Sequence, residues 1–363
     1  MKTNLSVYLD LIRFLAAVGV FVFHAQKFLL PWLPRPLIDN GAECVAIFFV
    51  ISGFVIRYVS ETKEADWRAY ASARMARLYS VALVAIAVTL AADWIGTRAD
   101  PSVYRGQLFF NPTTGFSEFV AYLTFTNEIW LRHAIVGSDE PYWSLGFEAL
   151  YYLAFGLAMY IRGPLKYVWM LLWAFVAGPK ILAYLPLWLL GVATYDVIRR
   201  RAATKPAARP WAGGLVVAAS LAGYLVLKYI LLGRDRAPMF APQSMADLAC
   251  GAAYFSAVGV LVAASIIGFD LATGDRSIWK PGFAKALRWL AGGSFTLYLA
   301  HLPLLTATEA CFPGVRKHPA EGLLAVGLVF AATLALAELG ERRKAFFRQG
   351  ADWVVTAGRV GAR

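Results

Sequence analysis

Charge and cysteine are both scarce in this sequence. Only 16% of its 363 residues are Asp, Glu, Lys or Arg, against 59% that are apolar, and a soluble globular chain carries about a quarter charged residues. An ordinary soluble domain is therefore excluded. The three cysteines, Cys44, Cys250 and Cys311, lie far apart and match neither a disulfide framework nor a zinc-ligand spacing, so they read as buried structural thiols and no metal site is expected. Acidic residues are the scarcer sign, 23 against 35 basic, for a net charge of +12. A nucleic-acid footprint needs basic residues clustered on one soluble face. Here they fall in short segments between apolar runs, so nucleic acid is not an expected partner. No low-complexity tract, internal repeat or soluble extra domain is evident. The first apolar run continues into "HAQKFLLPWLPRP" rather than a small-residue cleavage site, so the first helix reads as a retained anchor.

What is present is a series of apolar runs near the roughly 20-residue length that spans a bilayer. They fall at about 8–25, 44–59, 79–95, 143–161, 165–178, 181–197, 212–232, 246–268, 286–307 and 321–339. The expected fold is all-α: a polytopic membrane protein with about ten transmembrane helices and the lipid bilayer as its solvent. The fifth and sixth runs are short, and Gly178-Pro179 between them fits either two crossings or a re-entrant hairpin. With ten spans and the amino terminus inside, roughly two thirds of the 35 basic residues fall on inner segments. That asymmetry puts both termini in the cytoplasm. Trp32, Trp94, Trp130, Trp143 and Trp289 sit at segment ends, as interfacial aromatic belts do.

Charges inside these runs point to function, because a charged side chain at mid-bilayer costs about 2.5 to 3.5 kcal/mol on insertion scales. In "LDLIRFLAAVGVFVFHA", residues 9–25, Arg13 and His24 lie eleven residues apart, close to three helical turns, and so share a face about 16 Å apart along the axis. The alternative is that Arg13 pairs locally with Asp10 and snorkels inward, leaving His24 at the outer interface. In "ECVAIFFVISGFVIRY", residues 43–58, Gly53 reads as a site of close helix packing and Glu43 as a solvated outer cap. Arg74 and Arg77 in "RAYASARMARLYS" could grip phosphate or only mark topology. Glu148 in "EPYWSLGFEALYYL" lies one turn after Ser144 with no basic neighbour in sequence. It needs a partner from elsewhere: His24 at similar depth, or packing hydroxyls such as Tyr151 and Tyr152. His301 in "SFTLYLAHLPLL" stands alone in an outer half-span.

Taken in order, these segments resemble the acyltransferase-3 family of integral membrane acyltransferases, which O-acylate sugars. The resemblance rests on Arg13 and His24 with ten residues between them, "FFVISGFVI" at 48–56, the Arg74 and Arg77 pair, "WSLGFEALYYL" at 143–153 and "SFTLYLAHLP" at 294–303. It implies a ten-helix domain over 1–340 with a short basic cytoplasmic tail at 341–363, placed in a bacterial inner membrane. It also implies transfer of an acyl group, commonly acetyl from acetyl-CoA, to a carbohydrate hydroxyl of a surface polysaccharide or lipid-linked oligosaccharide. His24, Arg13 and Glu148 would be catalytic, with histidine supplying a base whose pKa lies near working pH. Arg74 and Arg77 would hold the acyl-CoA. Glu43, Trp143, Ser144 and His301 would bind substrate or serve structure. The chain departs from the family pattern at Cys44-Val45-Ala46, where Gly-Val-Asp is common, and at Glu148, where two consecutive glutamates are common. A donor on the cytoplasmic side and a base near the outer side require either a cavity that admits the CoA arm or a covalent relay. The competing class is a transporter or flippase of a lipid-linked sugar, in which the buried charges would form a pathway.

Overall fold

A computed structural model describes residues 2–105, 110–204, 207–231, 239, 241–275 and 277–357. Lys205, Arg234, Arg236, Arg276, Arg359 and Arg363, counted among the loop charges above, lie outside the described residues. Thirteen α-helices follow one another among the described residues: α1 (Thr3–Phe28), α2 (Arg35–Ile38), α3 (Gly41–Thr62), α4 (Trp67–Ala99), α5 (Phe116–Leu123), α6 (Trp143–Tyr160), α7 (Leu165–Ala203), α8 (Pro210–Val226), α9 (Met245–Thr273), α10 (Pro281–Ala291), α11 (Ser294–Cys311), α12 (Pro319–Leu336) and α13 (Lys344–Ala357). No strand occurs among the described residues, where β pairing is limited to a single bridge between Asn111 and Gly137. The protein is all-α and polytopic. Seven helices among the described residues are long and apolar enough to cross a membrane, or up to eight if the broken pair α10 and α11 counts as one span.

Three local features adjust the sequence expectations. The runs at 165–178 and 181–197 form one helical stretch, α7, whose backbone leaves helical geometry at Gly178 (φ 79°, ψ 178°). Glycine alone takes that φ without strain, and Pro179 has no N–H to continue the ladder. The run at 286–307 is divided between α10 and α11. Among the cysteines, Cys44 is buried and Cys311 half-buried, but Cys250 is exposed on α9. The expectation of three buried thiols fails there, because a lipid-facing helix surface accepts a free thiol as it accepts any small apolar side chain.

The chain divides into two compact units: residues 1–16, 42–65 and 178–291, and residues 17–41, 66–177 and 292–363. The first unit is held by backbone-to-backbone packing. A Cβ on Gly53 would lie 2.1 Å from the Trp188 carbonyl oxygen, and one on Gly191 would lie 1.9 Å from that of Val50, so α3 and α7 touch only because both positions are glycine. Trp188 Nε1 donates to Ser52 Oγ at 3.2 Å across the same crossing, and Arg57 pairs with Asp196 at 3.0 Å. The packing reading of Gly53 is what the structure shows.

In the second unit α4 is the backbone on which the rest is laid. Asp66 caps its amino end, accepting from the N–H groups of Arg68 and Ala69. The connection from Phe116 to Tyr142 runs along it, bonded to it at two places. Tyr79 donates to the Leu123 carbonyl at 2.8 Å, and Asp93 accepts from Ser138 N at 2.8 Å and Ser138 Oγ at 2.6 Å. Tyr79 and Asp93 are fourteen residues apart on α4, about 21 Å of helix. Tyr122 and Tyr142 stack within this connection at 3.8 Å. On the other side Glu341 accepts from Thr296 N at 2.9 Å and Thr296 Oγ1 at 3.1 Å, capping α11.

Gly191→Ala is expected to cost about 1 to 3 kcal/mol through overpacking, seen as a lower thermal-unfolding midpoint in detergent. The control Gly327→Ala, where nothing lies within 4 Å of the new carbon, should leave the midpoint unchanged or raise it.

Candidate active site

The second unit brings together two histidines 277 residues apart. His24 on α1 and His301 on α11 are both buried, with His24 Nδ1 and His301 Nε2 2.9 Å apart. His301 Nδ1 lies 3.0 Å from the Leu297 carbonyl oxygen, one turn back on its own helix. A carbonyl only accepts, so it fixes the His301 proton on Nδ1 and leaves a lone pair on Nε2. For the neutral pair, His24 Nδ1 must then donate to His301. The second nitrogen of His24, Nε2, carries the lone pair, which is the atom a base needs. Phe21 packs edge-on to His301 with ring centroids 6.0 Å apart, and the Tyr298 ring lies 6.4 Å away.

Tyr298, which faces His301, also feels the charge of Glu148, part of an ion-pair network. Arg77 Nη2 lies 3.6 Å from Glu148 Oε1, Tyr152 donates a short hydrogen bond to the same carboxylate, and the Arg77 guanidinium sits 4.9 Å from the centre of the Phe295 ring. The charge of Glu341 acts on Arg77 as well. Glu148 thus finds the hydroxyl partner that the sequence allowed, Tyr152, together with an arginine from α4. The guanidinium of Arg74, one turn before Arg77, lies 5.4 and 5.6 Å from the ring centres of Tyr70 and Tyr152. Ser144 donates to the Pro141 carbonyl and is bonded by the Tyr298 hydroxyl, while Trp143, the first residue of α6, packs edge-on to Phe147.

Two expected site residues belong to the first unit. Arg13 pairs with Asp10 at 3.0 Å and donates to the Ala291 carbonyl at 2.9 Å, the local pairing that the spacing permitted. Glu43 is not a solvated cap: it is buried, pairs with Lys228 at 3.1 Å and accepts from Tyr254 at 2.8 Å. The sequence could not show this because Lys228 and Tyr254 lie 185 and 211 residues further along the chain.

A group of acids that sequence reading passed over acts on Lys27, next to His24 on α1. Lys27, one turn after His24, feels the charges of Glu140 and Glu309. Asp139 and Glu140, in the short turn before α6, are buried, with Glu128 close enough to act on Glu140 and Asp93 on Asp139. Burial first, and the Glu128 charge second, push the Glu140 carboxyl up to about 8, with Lys27 opposing. Burial likewise drives Asp139 well above the carboxylate range. The run "SDEPYW" carries adjacent acids beside an apolar span, a signal that was available.

Fold and site together define a membrane-integral helical protein with an ionisable interior, a histidine pair flanked by arginine–carboxylate contacts. The chain belongs to the acyltransferase-3 family: the family model, described as an acyltransferase domain, matches residues 6–339. No curated protein and no solved structure matches the chain.

Because the folded-state Glu140 holds its proton to about pH 8 while an unfolded glutamate releases it near 4.5, the folded form binds more protons between those values. Stability is therefore present at low pH and falls as pH rises from about 4.5 to 8. Thermal-unfolding midpoints across that range should decline in the wild type and decline less in Glu140→Gln.

Proposed function

We propose that this membrane acyltransferase moves an acyl group, acetyl in the simplest case, from acyl-CoA to a hydroxyl of a carbohydrate acceptor, with His24 as general base. The observation that carries the reading is the His24–His301 contact ordered by the Leu297 carbonyl. A sugar hydroxyl is a poor nucleophile at neutral pH and needs its proton removed as the new bond forms. His24 Nε2 takes that proton while the oxygen attacks the thioester carbonyl. The C–S bond then breaks, and the proton on His24 is available to the departing CoA thiolate. His301 is a positioning residue: by accepting from Nδ1 it selects the His24 tautomer whose Nε2 is basic, the role the third member of a triad plays for its histidine.

The donor reading draws on Arg74, which lines a cavity beside the Glu148 network. Guanidinium groups hold phosphate through paired N–H donors. Arg77, held by Glu148 and Phe295, supports the wall behind it. The acceptor belongs to the class of surface polysaccharides and lipid-linked oligosaccharides.

The test is release of free CoA thiol from acetyl-CoA by purified protein with a crude membrane-glycan extract as acceptor. His24→Ala should lower kcat by about 10²-fold to 10⁴-fold, the usual contribution of a positioned base, without loss of expression or insertion. His301→Ala should lower kcat with little change in KM. His301→Gln, whose amide oxygen can accept from His24 Nδ1, should recover part of the loss. Full activity in His24→Ala would end this mechanism, and absence of thiol release from folded wild type with several donors would favour transport of a lipid-linked sugar. For the donor, Arg74→Ala should raise the KM for acyl-CoA about tenfold, the equivalent of one charge-assisted contact of about 1.4 kcal/mol. An unchanged KM would remove Arg74 from the donor site.

A further inference from the structure

The first unit carries a helix whose surface divides three ways. In α10 the buried residues Ala284, Leu287 and Ala291 follow the three-and-four spacing of one helical stripe. Ala284 and Leu287 form a cluster with Val7 of α1, and Leu11, Phe14 and Trp279 pack against it. At about 100° per residue, Phe283 and Leu290 fall roughly a quarter-turn to one side of that stripe, Lys285 and Arg288 roughly a quarter-turn to the other, and Trp289 opposite it. Phe283 and Trp289 are half-exposed, and Lys285 and Arg288 are exposed.

Both ends of α10 are tied to α1. Just before the helix, Ile278 N donates to the Asn4 side-chain oxygen and Trp279 Nε1 to the Asn4 carbonyl, each at 3.2 Å. At its far end Arg13 donates to the Ala291 carbonyl at 2.9 Å, a cation where the helix dipole is negative. Stacked rings fix its roll: Tyr8 on Phe269 at 4.0 Å, Phe269 on Trp279 at 6.1 Å and Trp279 on Phe283 at 5.5 Å. From Asn4 to Arg13 is nine residues, about 14 Å of α1. The apolar run of α1 begins between them, at about residue 8, so α10 straddles the level at which α1 enters hydrocarbon. On the positive-inside reading that level is cytoplasmic. An apolar edge, a basic edge and a tryptophan between them, held at that level, are the make-up of an interfacial helix.

We propose that α10 is an interfacial anchor that binds anionic lipid headgroups of the cytoplasmic leaflet, with Phe283 and Leu290 in the hydrocarbon, Trp289 at the boundary, and Lys285 and Arg288 on the headgroups. The charge of the helix complements that surface: α10 holds no acidic residue, and exposed Lys280 precedes it. The two cations reach outward along their methylene stems while the helix stays seated on α1. The anchor goes beyond the acyl-transfer reading and does not rest on it.

Two measurements on purified full-length protein test it. In nanodiscs containing phosphatidylglycerol, the emission lost in Trp289→Phe isolates the Trp289 signal. Lipids brominated near the headgroup should quench that signal more strongly than lipids brominated at the chain end. Quenching by aqueous iodide but by neither brominated lipid would overturn the proposal, as would stronger quenching from the chain end. In detergent, binding of phosphatidylglycerol and of phosphatidylcholine with the same chains is read by native mass spectrometry. Each basic residue at an anionic lipid surface is worth about fivefold in affinity, so Lys285→Gln with Arg288→Gln should weaken phosphatidylglycerol binding by at least about tenfold and leave phosphatidylcholine binding and the elution profile unchanged. Wild-type phosphatidylglycerol affinity in the double variant would overturn the proposal, and so would an equal loss for both lipids.

Discussion

A polar group placed among apolar helices has only the protein to bond with, because hydrocarbon offers neither a donor nor an acceptor. Every ionisable side chain singled out in the spans obeys this constraint. Arg13 is met by Asp10 and a backbone carbonyl, Glu43 by Lys228 and Tyr254, Arg57 by Asp196, Glu148 by Arg77 and Tyr152, and His24 by His301. The helix arrangement within each unit is the one that closes these pairs. Glycines at Gly53 and Gly191 let α3 and α7 come close enough for the neighbouring contacts to form.

These contacts differ in what they do. A neutral hydrogen bond contributes only about 0.5 to 1.5 kcal/mol net, so the His24–His301 bond adds little to stability. Its value lies in direction: the Leu297 carbonyl, His301 and His24 form a chain in which each acceptor dictates the next donor, ending at a basic nitrogen. The Arg77–Glu148 contact works the other way. Removing either partner would leave a buried charge uncompensated, which costs several kcal/mol, so those residues hold the wall of the site in place. Arg74, one turn away on α4, lies against the rings of Tyr70 and Tyr152.

The connection from Phe116 to Tyr142 shows how a hydropathy window misleads. Its arginines and acids mark it as an outer loop, and a loop that long is often functional when it carries its own structure. It lies along α4 for about four turns, with Ser138 bonded to Asp93 and with Tyr122 and Tyr142 bonded within it, and it carries Glu140 to within reach of Lys27, one turn after His24. Glu341 is a comparable case. Its position after the last apolar run reads as the start of a basic tail, whereas its carboxylate caps α11 at Thr296, five residues before His301.

The sequence by itself determined that the chain is helical and membrane-embedded and that it falls in an acyltransferase family, because apolar run length and the order of short motifs are local properties of the chain. It also singled out His24, Arg77 and Glu148 as ionisable residues in or beside apolar spans. The partners were decided only by the tertiary structure. His301 is 277 residues from His24 and Arg77 is 71 residues from Glu148, and no periodicity encodes which helix faces which. That choice is made by packing, through a few close backbone approaches and the requirement that every buried charge be met.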